Sequence, residues 1–291
     1  MKPLSTSPAI GALALLLAGS LAGSLPALAQ DAGHPDDQPL TGAAEVGFAP
    51  FLMAKADGTI EGFNYDMNTE LAERLGRPGL EIVEVPWANI FAGLYAGRYE
   101  YIAAPVTITE ARAAEMLFAE PYMDVGLGFI TLSDSPLASM DELSGKTVSV
   151  VSGSVQDDWM QANAAEYGID VARFDATPDA LQALRIGRTA AHMSTDIAGR
   201  WLVQEQPVFA IDVTLPAYGQ FGLAFRPDDV AFRDSVEQQL ECMKSDGTLP
   251  AIYEKWFGVA PAADSASATV YPGVGAPGWP GHDATVTAPA C

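Results

Sequence analysis

Short apolar runs alternate with amphipathic stretches from residue 44 to residue 258, and each pair reads as a strand followed by a helix. Ala44 to Met53, AEVGFAPFLM, predicts a strand running into an apolar loop, and Asp57-Gly58 marks a turn. Met67, Leu71 and Leu75 then recur at four-residue spacing, which gives a helix one apolar face before Gly76 stops it. Leu80 to Val85 alternates like a strand, and Trp87 to Gly97 sets Ile90, Phe91 and Leu94 on one helix face. Tyr101-Ile102-Ala103-Ala104 is a buried strand ending at Pro105, after which Thr109 caps a short helix whose third residue is Arg112. Further strands are predicted at Val125 to Leu132 and Lys146 to Val151, joined by the polar connection Ser133 to Ser139. Ser152-Gly153-Ser154 leads into a helix capped by Ser154, with Asp157 three residues on. Thr177-Pro178 opens another helix, Ala190 to Ser194 is a strand and Ile197 to Gln204 a helix. Val208 to Leu215 and Ala217 to Phe225 read as two strands. Asp229 to Lys244 is the longest helical pattern, and Thr248 caps a last helix that stops at Gly258.

This alternation predicts an α/β fold with largely parallel sheets. The two sets of elements, split near Val125 and rejoined near Gly219, read as one unit inserted in another, with two crossing strands as the hinge. Ligands of open α/β sheets sit at the carboxyl ends of strands, so the helix starts at Thr107 to Arg112 and Gly153 to Asp157 should face one cleft. Residues 30–42, rich in Asp, Pro and Gly, read as a flexible lead-in with order beginning near Ala43. Beyond Val259 the chain is rich in Pro, Gly, Ala and Ser and predicts no regular structure.

Charge and termini narrow the class. The formal charge is −22, which repels nucleic acid and aids solubility. Met1 to Ala29 has the parts of a secretory signal: Lys2, an apolar run from Ile10 to Leu21, and the small-x-small site Ala27-Leu28-Ala29. The mature chain is then expected to be exported and soluble. In that setting the two cysteines, Cys242 and Cys291, suggest a disulfide that pins the C-terminal segment. Two cysteines and three scattered histidines, His34, His192 and His282, offer no metal-ligand spacing, so no metal or cofactor is expected.

Arg112 is the residue that stands out chemically. A helix's first turn exposes N–H groups and partial positive charge, which favours an acid there rather than a cation. Thr107, Thr109, the free amides and Arg112 together suit an anion, and a guanidinium fork matches a carboxylate with two parallel hydrogen bonds. The plainer alternative is a surface arginine paired with Glu110 or Glu115.

These residues lie within a longer ordered set of blocks. GTIEGFNYDMNTELAERLG is followed by WANIFAGLYAGRYEYIAAPVTITEARAAEMLFAEPY, then LSGKTVSVVSGS, ALQALRIGR and MKSDGTLPAIYEKWFG. From about Ala44 to Gly258 the chain resembles the family 3 periplasmic solute-binding proteins, the receptors of polar amino-acid ABC importers. The resemblance implies a two-lobe periplasmic-binding-protein-like α/β fold of type II, each lobe a mixed sheet flanked by helices and joined by two hinge strands. Its expected division is a leader over 1–29, a lead-in over 30–42, a first lobe over 43–125 plus 220–258, a second over 126–219, and an extension over 259–291 tied by the disulfide. By the same likeness Arg112 and Thr107 would grip an α-carboxylate, with Ser154 and Val155 reaching it from the other lobe. Trp87 would be a pocket aromatic, faced by Phe48 or, alternatively, Phe51. Pro105 stands where the family often has glycine; its carbonyl can accept from an ammonium but its N–H is gone. A basic or polar residue sometimes found at Val151 is absent. The family's ammonium-binding aspartate falls at Thr195, with Asp196 next door, and a one-residue shift bringing Asp196 to the ligand is the preferred expectation.

The function implied is a monomeric periplasmic receptor that captures a small zwitterionic, carboxylate-bearing ligand and delivers it to ABC permease subunits, without catalysis. One alternative is a dehydratase-like enzyme on the same architecture, for which Glu45 is the candidate acid. Another is a sensor or accessory protein, for which the extension from Val259 to Cys291 could serve as a docking strap.

Overall fold

The computed structural model describes residues 34–285 and Cys291; the leader predicted over residues 1–29 lies outside the described residues. Strand β1 (Leu40–Ala44) is followed by a short hairpin, β2 (Met53–Ala54) and β3 (Ile60–Glu61), and by α1 (Phe63–Arg74). Then come β4 (Leu80–Glu84), α2 (Trp87–Tyr95), β5 (Tyr101–Thr107), α3 (Glu110–Ala113), β6 (Leu117–Phe118) and β7 (Met123–Leu132). After a 3-10 turn at Met140–Leu143 the chain forms β8 (Thr147–Val151), α4 (Val155–Tyr167), β9 (Asp170–Phe174), α5 (Thr177–Arg185), β10 (Ala191–Thr195) and α6 (Asp196–Glu205). The long strand β11 (Phe209–Phe225) returns to helices α7 (Val230–Ser245) and α8 (Thr248–Phe257).

Hydrogen bonding links the strands in the order β4-β1-β5-β11-β7-β10-β8-β9, with β6 on β11. The outer members pair in parallel on each side, β1 with β4 and β5, and β8 with β9 and β10. The central pair β7 and β11 is antiparallel and spans two cores. Around the first, Phe63, Met67 and Leu71 of α1 pack with Tyr101, Phe225 and Leu240. Around the second, Leu127 and Phe129 pack with Val148, Val150, Met160 and Met193, next to a smaller cluster of Ile130, Leu184, Leu202 and Phe209. The result is the two-lobe α/β fold with two long strands in common.

Several expectations need correction. Order begins before Ala43: β1 starts at Leu40, and His34 is buried, with its Nδ1 2.9 Å from Glu100 and its ring stacked on Phe232. Strand β5 does not end at Pro105 but runs to Thr107. Proline is tolerated because pairing with β1 has ended at Ile102, and the ladder to β11 is irregular between Gly222 and Ala224. The two strands predicted before and after Pro216 are one, kept continuous by a register shift between Leu215 and Gly219. Gly247, not Thr248, is the N-cap of α8. Strand β9 had no counterpart in the sequence reading.

After α8 the described residues form turns and one isolated bridge, Val274 to Asp283, yet this segment packs closely. Ala266 and Ser267 are buried, the Ser267 hydroxyl donates to the Tyr122 carbonyl at 2.7 Å, and the Ala266 N–H donates to Asp124 at 2.8 Å. The Lys244 ammonium donates to the carbonyls of Pro121 and Thr269, at 2.7 and 2.9 Å, joining the segment to the first core. Cys242 and Cys291 form the disulfide.

Candidate functional site

A cleft lies where helix starts from both cores converge. Thr107 at the end of β5 and Arg112 on α3 form one wall, and Ser154, Val155 and Gln156 at the start of α4 form the facing one. Both helices are capped as the sequence predicts: Thr109 Oγ accepts the Arg112 N–H, and Ser154 Oγ accepts the Asp157 N–H. Asp157 completes the second cap by accepting the Gly153 N–H at 3.2 Å.

The Arg112 side chain pairs with neither Glu110 nor Glu115 in a salt bridge. Its Nη1 donates to the Thr107 carbonyl at 2.9 Å and its Nη2 reaches across the cleft to the Gly153 carbonyl at 3.1 Å. The guanidinium also lies 5.7 Å from the Trp87 ring centre and 5.1 Å from that of Phe91, within cation–π range. Burial draws Arg112 down to about 10, against the attraction of Asp158, so it remains a cation at neutral pH. Carbonyls satisfy only part of its donor set, so a guanidinium in this cleft can still bind an anion.

Trp87 and Phe48 both line the cleft, and Pro105 and Val151 join them. Phe51, the alternative to Phe48, is fully buried in the first core and is not part of the lining. The Trp87 Nε1 is buried and has no hydrogen-bond partner among the described residues.

The expectation for Asp196 is not met. Thr195 is the last residue of β10 and lines the cleft, and its hydroxyl accepts the Ala198 N–H at 3.4 Å. Asp196 begins α6 and turns the other way: Oδ1 accepts the Gly126 N–H at 2.8 Å, and Oδ2 is 3.9 Å from Arg200. Successive residues at a strand end point to opposite faces, so adjacency in sequence separates the two side chains in space.

Glu45, His192 and Phe221 are among the lining residues to which the sequence assigns no ligand contact. Glu45, named there only as a candidate acid, is buried at the end of β1 and accepts two backbone N–H groups, from Trp87 at 3.2 Å and Thr177 at 2.9 Å. His192 is buried, with Nδ1 3.1 Å from the Ser149 carbonyl; a carbonyl can only accept, so Nδ1 carries the proton and Nε2 is an acceptor. Burial draws this imidazole down to about 4, leaving it neutral. Phe221, on β11, completes the apolar part of the wall. His192 on a strand reads as ordinary core, and nothing local to it signals the cleft.

A separate carboxylate group, Glu120, Glu237 and Glu241, is buried away from the cleft with ligand atoms close enough to hold a cation. The Lys244 ammonium already provides positive charge there, 2.5 Å from Glu120. Among the described residues no helix is long and apolar enough to cross a membrane.

The family model for bacterial extracellular solute-binding proteins, family 3, matches residues 40–259. The chain is 28% identical over 214 residues to the L-cystine-binding protein TcyJ of Escherichia coli strain K12, covering 72% of this chain and 79% of the relative. It is 28% identical over 219 residues to a probable histidine-binding protein of Neisseria gonorrhoeae, covering 74% and 81%. Among solved structures, an ancestral arginine-binding protein bound to arginine superposes with a TM-score of 0.72 at 29% identity, over 77% of this chain and 100% of that one. The solute receptor for L-cysteine of Neisseria gonorrhoeae gives 0.70 at 27% identity, over 75% and 89%. With a match across both cores and the cleft between them, this chain is a member of family 3 of the bacterial extracellular solute-binding proteins.

Proposed function

We propose that this protein is a periplasmic receptor that closes over a small amino acid or amino-acid derivative and delivers it to an ABC importer. One observation carries the reading: the Arg112 guanidinium stands in the cleft with one arm on Thr107 and the other on Gly153, across from its own helix. An α-carboxylate inserted there meets the cation from one side and the first-turn amides of α4 from the other. Contacts that both walls make only when close together are what shift a hinge equilibrium toward closure. Trp87 and Phe48 then take the ligand's side chain, and the carbonyl of Pro105 and hydroxyl of Thr195 are the acceptors for its ammonium. In this reading the lobes divide at 125/126 and 219/220, close to the register shift in β11. The leader over 1–29 and the acidic surface fit an exported protein.

The role is binding without chemistry. A dehydratase-like reaction needs an acid free to move a proton, and the acid lining this cleft, Glu45, has both oxygens held by backbone N–H groups.

A thermal-shift screen of the mature protein tests the proposal with L-cystine, L-cysteine, L-histidine, L-arginine, glycine betaine, ectoine and spermidine. A ligand raises the melting temperature by mass action. The account expects at least one carboxylate-bearing compound to do so without product formation. A response to spermidine alone, or turnover of the bound compound, contradicts it.

A further inference from the structure

Two helices on opposite sides of the cleft start on the same carboxylate. Glu45 Oε2 accepts the N–H of Trp87, the first residue of α2, at 3.2 Å, and Oε1 accepts the N–H of Thr177, the first residue of α5, at 2.9 Å. Helix α2 packs Ile90 and Leu94 into the first core, whereas α5 packs Leu184 beside Ile130 and Phe209. A single side chain, only 5% exposed, therefore ties one lobe to the other.

Neither helix has a side-chain cap of its own. The N-cap of α2 is Pro86 and that of α5 is Ala176, residues that have no side-chain oxygen to offer the first-turn amides. The exposed N–H groups and partial positive charge of a helix start favour a carboxylate. For α5 that carboxylate comes from across the cleft. Contacts beside it follow the same line: the Ala88 N–H points to the Asp175 carbonyl at 3.4 Å, and Gly47 lies so near Pro178 that a Cβ there would come within 2.6 Å of the proline ring. None of these survives separation of the lobes, which would leave the start of α5 uncapped.

We infer that Glu45 is the closing latch of the hinge: it caps α5 in trans, so it sets the fraction of closed molecules and scales affinity for every ligand alike. This is a positioning residue acting through Thr177, distinct from a group that touches the ligand. Its link to affinity rests on the solute-binding reading above, while its effect on lobe closure does not. Apparent affinity falls in proportion to the closed fraction, and loss of a charge-assisted hydrogen bond lowers that fraction by about 10-fold.

The test uses Glu45→Gln and Thr177→Pro in the full mature chain. The second change deletes the N–H donor together with the threonine hydroxyl, and the backbone accepts it because proline fits the first helical position and Ala176 before it is already extended, at φ −146° and ψ 153°. Calorimetric titration with L-histidine, L-arginine and L-cystine is paired with small-angle scattering of the ligand-free protein. Each variant should weaken every amino acid that binds by one common factor of about 10, and the double variant by no more than either alone. Ligand-free scattering should show a larger radius of gyration in both variants, with little change in melting temperature. A factor that differs between ligands, additive effects in the double variant, or an unchanged radius of gyration overturns the latch. If none of the carboxylate-bearing compounds of the thermal-shift screen binds the wild type, the receptor reading fails, and the scattering comparison alone still decides the latch.

Discussion

Arg112 and Gly153 are joined across the cleft by a hydrogen bond of 3.1 Å from the guanidinium to the carbonyl just before α4. The same guanidinium is the cation proposed to hold a ligand's carboxylate. Removing it should therefore strike binding harder than folding. Arg112→Ala is predicted to weaken binding by ~100-fold or more, since truncating one partner of a desolvated charge pair costs ~2–5 kcal/mol. The ligand-free melting temperature should move by less than about 3 °C, as expected for a change on the order of 1 kcal/mol. Titration calorimetry and a melt of the same sample check both numbers, and a variant that binds normally refutes the carboxylate role.

Lys244 is the positive member of a buried cluster that holds the C-terminal segment. It pairs with Glu120 and donates to the Pro121 and Thr269 carbonyls, while Glu237 and Glu241 stand close by. Lys244→Met should leave these carboxyls without their cation and cost ~3–5 kcal/mol in urea unfolding, the usual penalty for breaking a buried pair. A loss below about 1 kcal/mol, the range of exposed pairs, would show that the cluster is not sealed from water.

The same cluster predicts a pH dependence. Burial pushes Glu237 up to about 8 and Glu241 up to about 7. A carboxyl whose folded value lies above its unfolded one binds more protons when folded, so its stabilising share is complete at low pH and is lost as pH rises through the folded value. His34 acts in the same direction above its unfolded value: burial opposes its charge, but the bonds to Glu100 and Asp229 prevail and raise it. His192, drawn down to about 4, works oppositely, but only while pH falls from the unfolded value toward 4. Between pH 6.5 and 8 the two carboxyls and His34 therefore all lower stability as pH rises. Glu241→Gln should flatten that slope, read from melting temperatures across the window. A slope unchanged in the variant would remove Glu241 from the account.

The disulfide closes a loop with its cysteines 49 positions apart. Cys291→Ser should lower unfolding stability by ~2–4 kcal/mol, chiefly by freeing the unfolded chain. Amide exchange around Ala266 and Tyr271 should quicken in that variant, because the segment loses its covalent anchor. Unchanged exchange there would mean that Lys244 and the buried carboxylates suffice to hold it.

The parts of this molecule legible in the sequence are those fixed by local chemistry. Met67 and Leu71 recur on one face, so α1 was readable, and the caps at Thr109 and Ser154 marked both helix starts that build the cleft. What escaped depends on distant partners or on a bulge. Strand β11 passes through Pro216 and through Ala217 at φ 53°, a break by sequence that the register shift absorbs. The lead-in reads as polar because nothing near His34 announces Glu100, Asp229 or Phe232, all far along the chain. Glu45 reads in the sequence only as a candidate acid, because the amides it accepts belong to residues 42 and 132 positions away. Thr195 and Asp196 differ by a single step, and only the turn from β10 into α6 decides which one meets the cleft.

The most direct trial is a crystal structure of the mature protein grown with whichever amino acid raises its melting temperature most. The account predicts a ligand between Trp87 and Phe48, its carboxylate oxygens within hydrogen-bond reach of Arg112 and of the first amides of α4. A ligand whose carboxylate lies elsewhere, with Arg112 turned toward solvent, would contradict it.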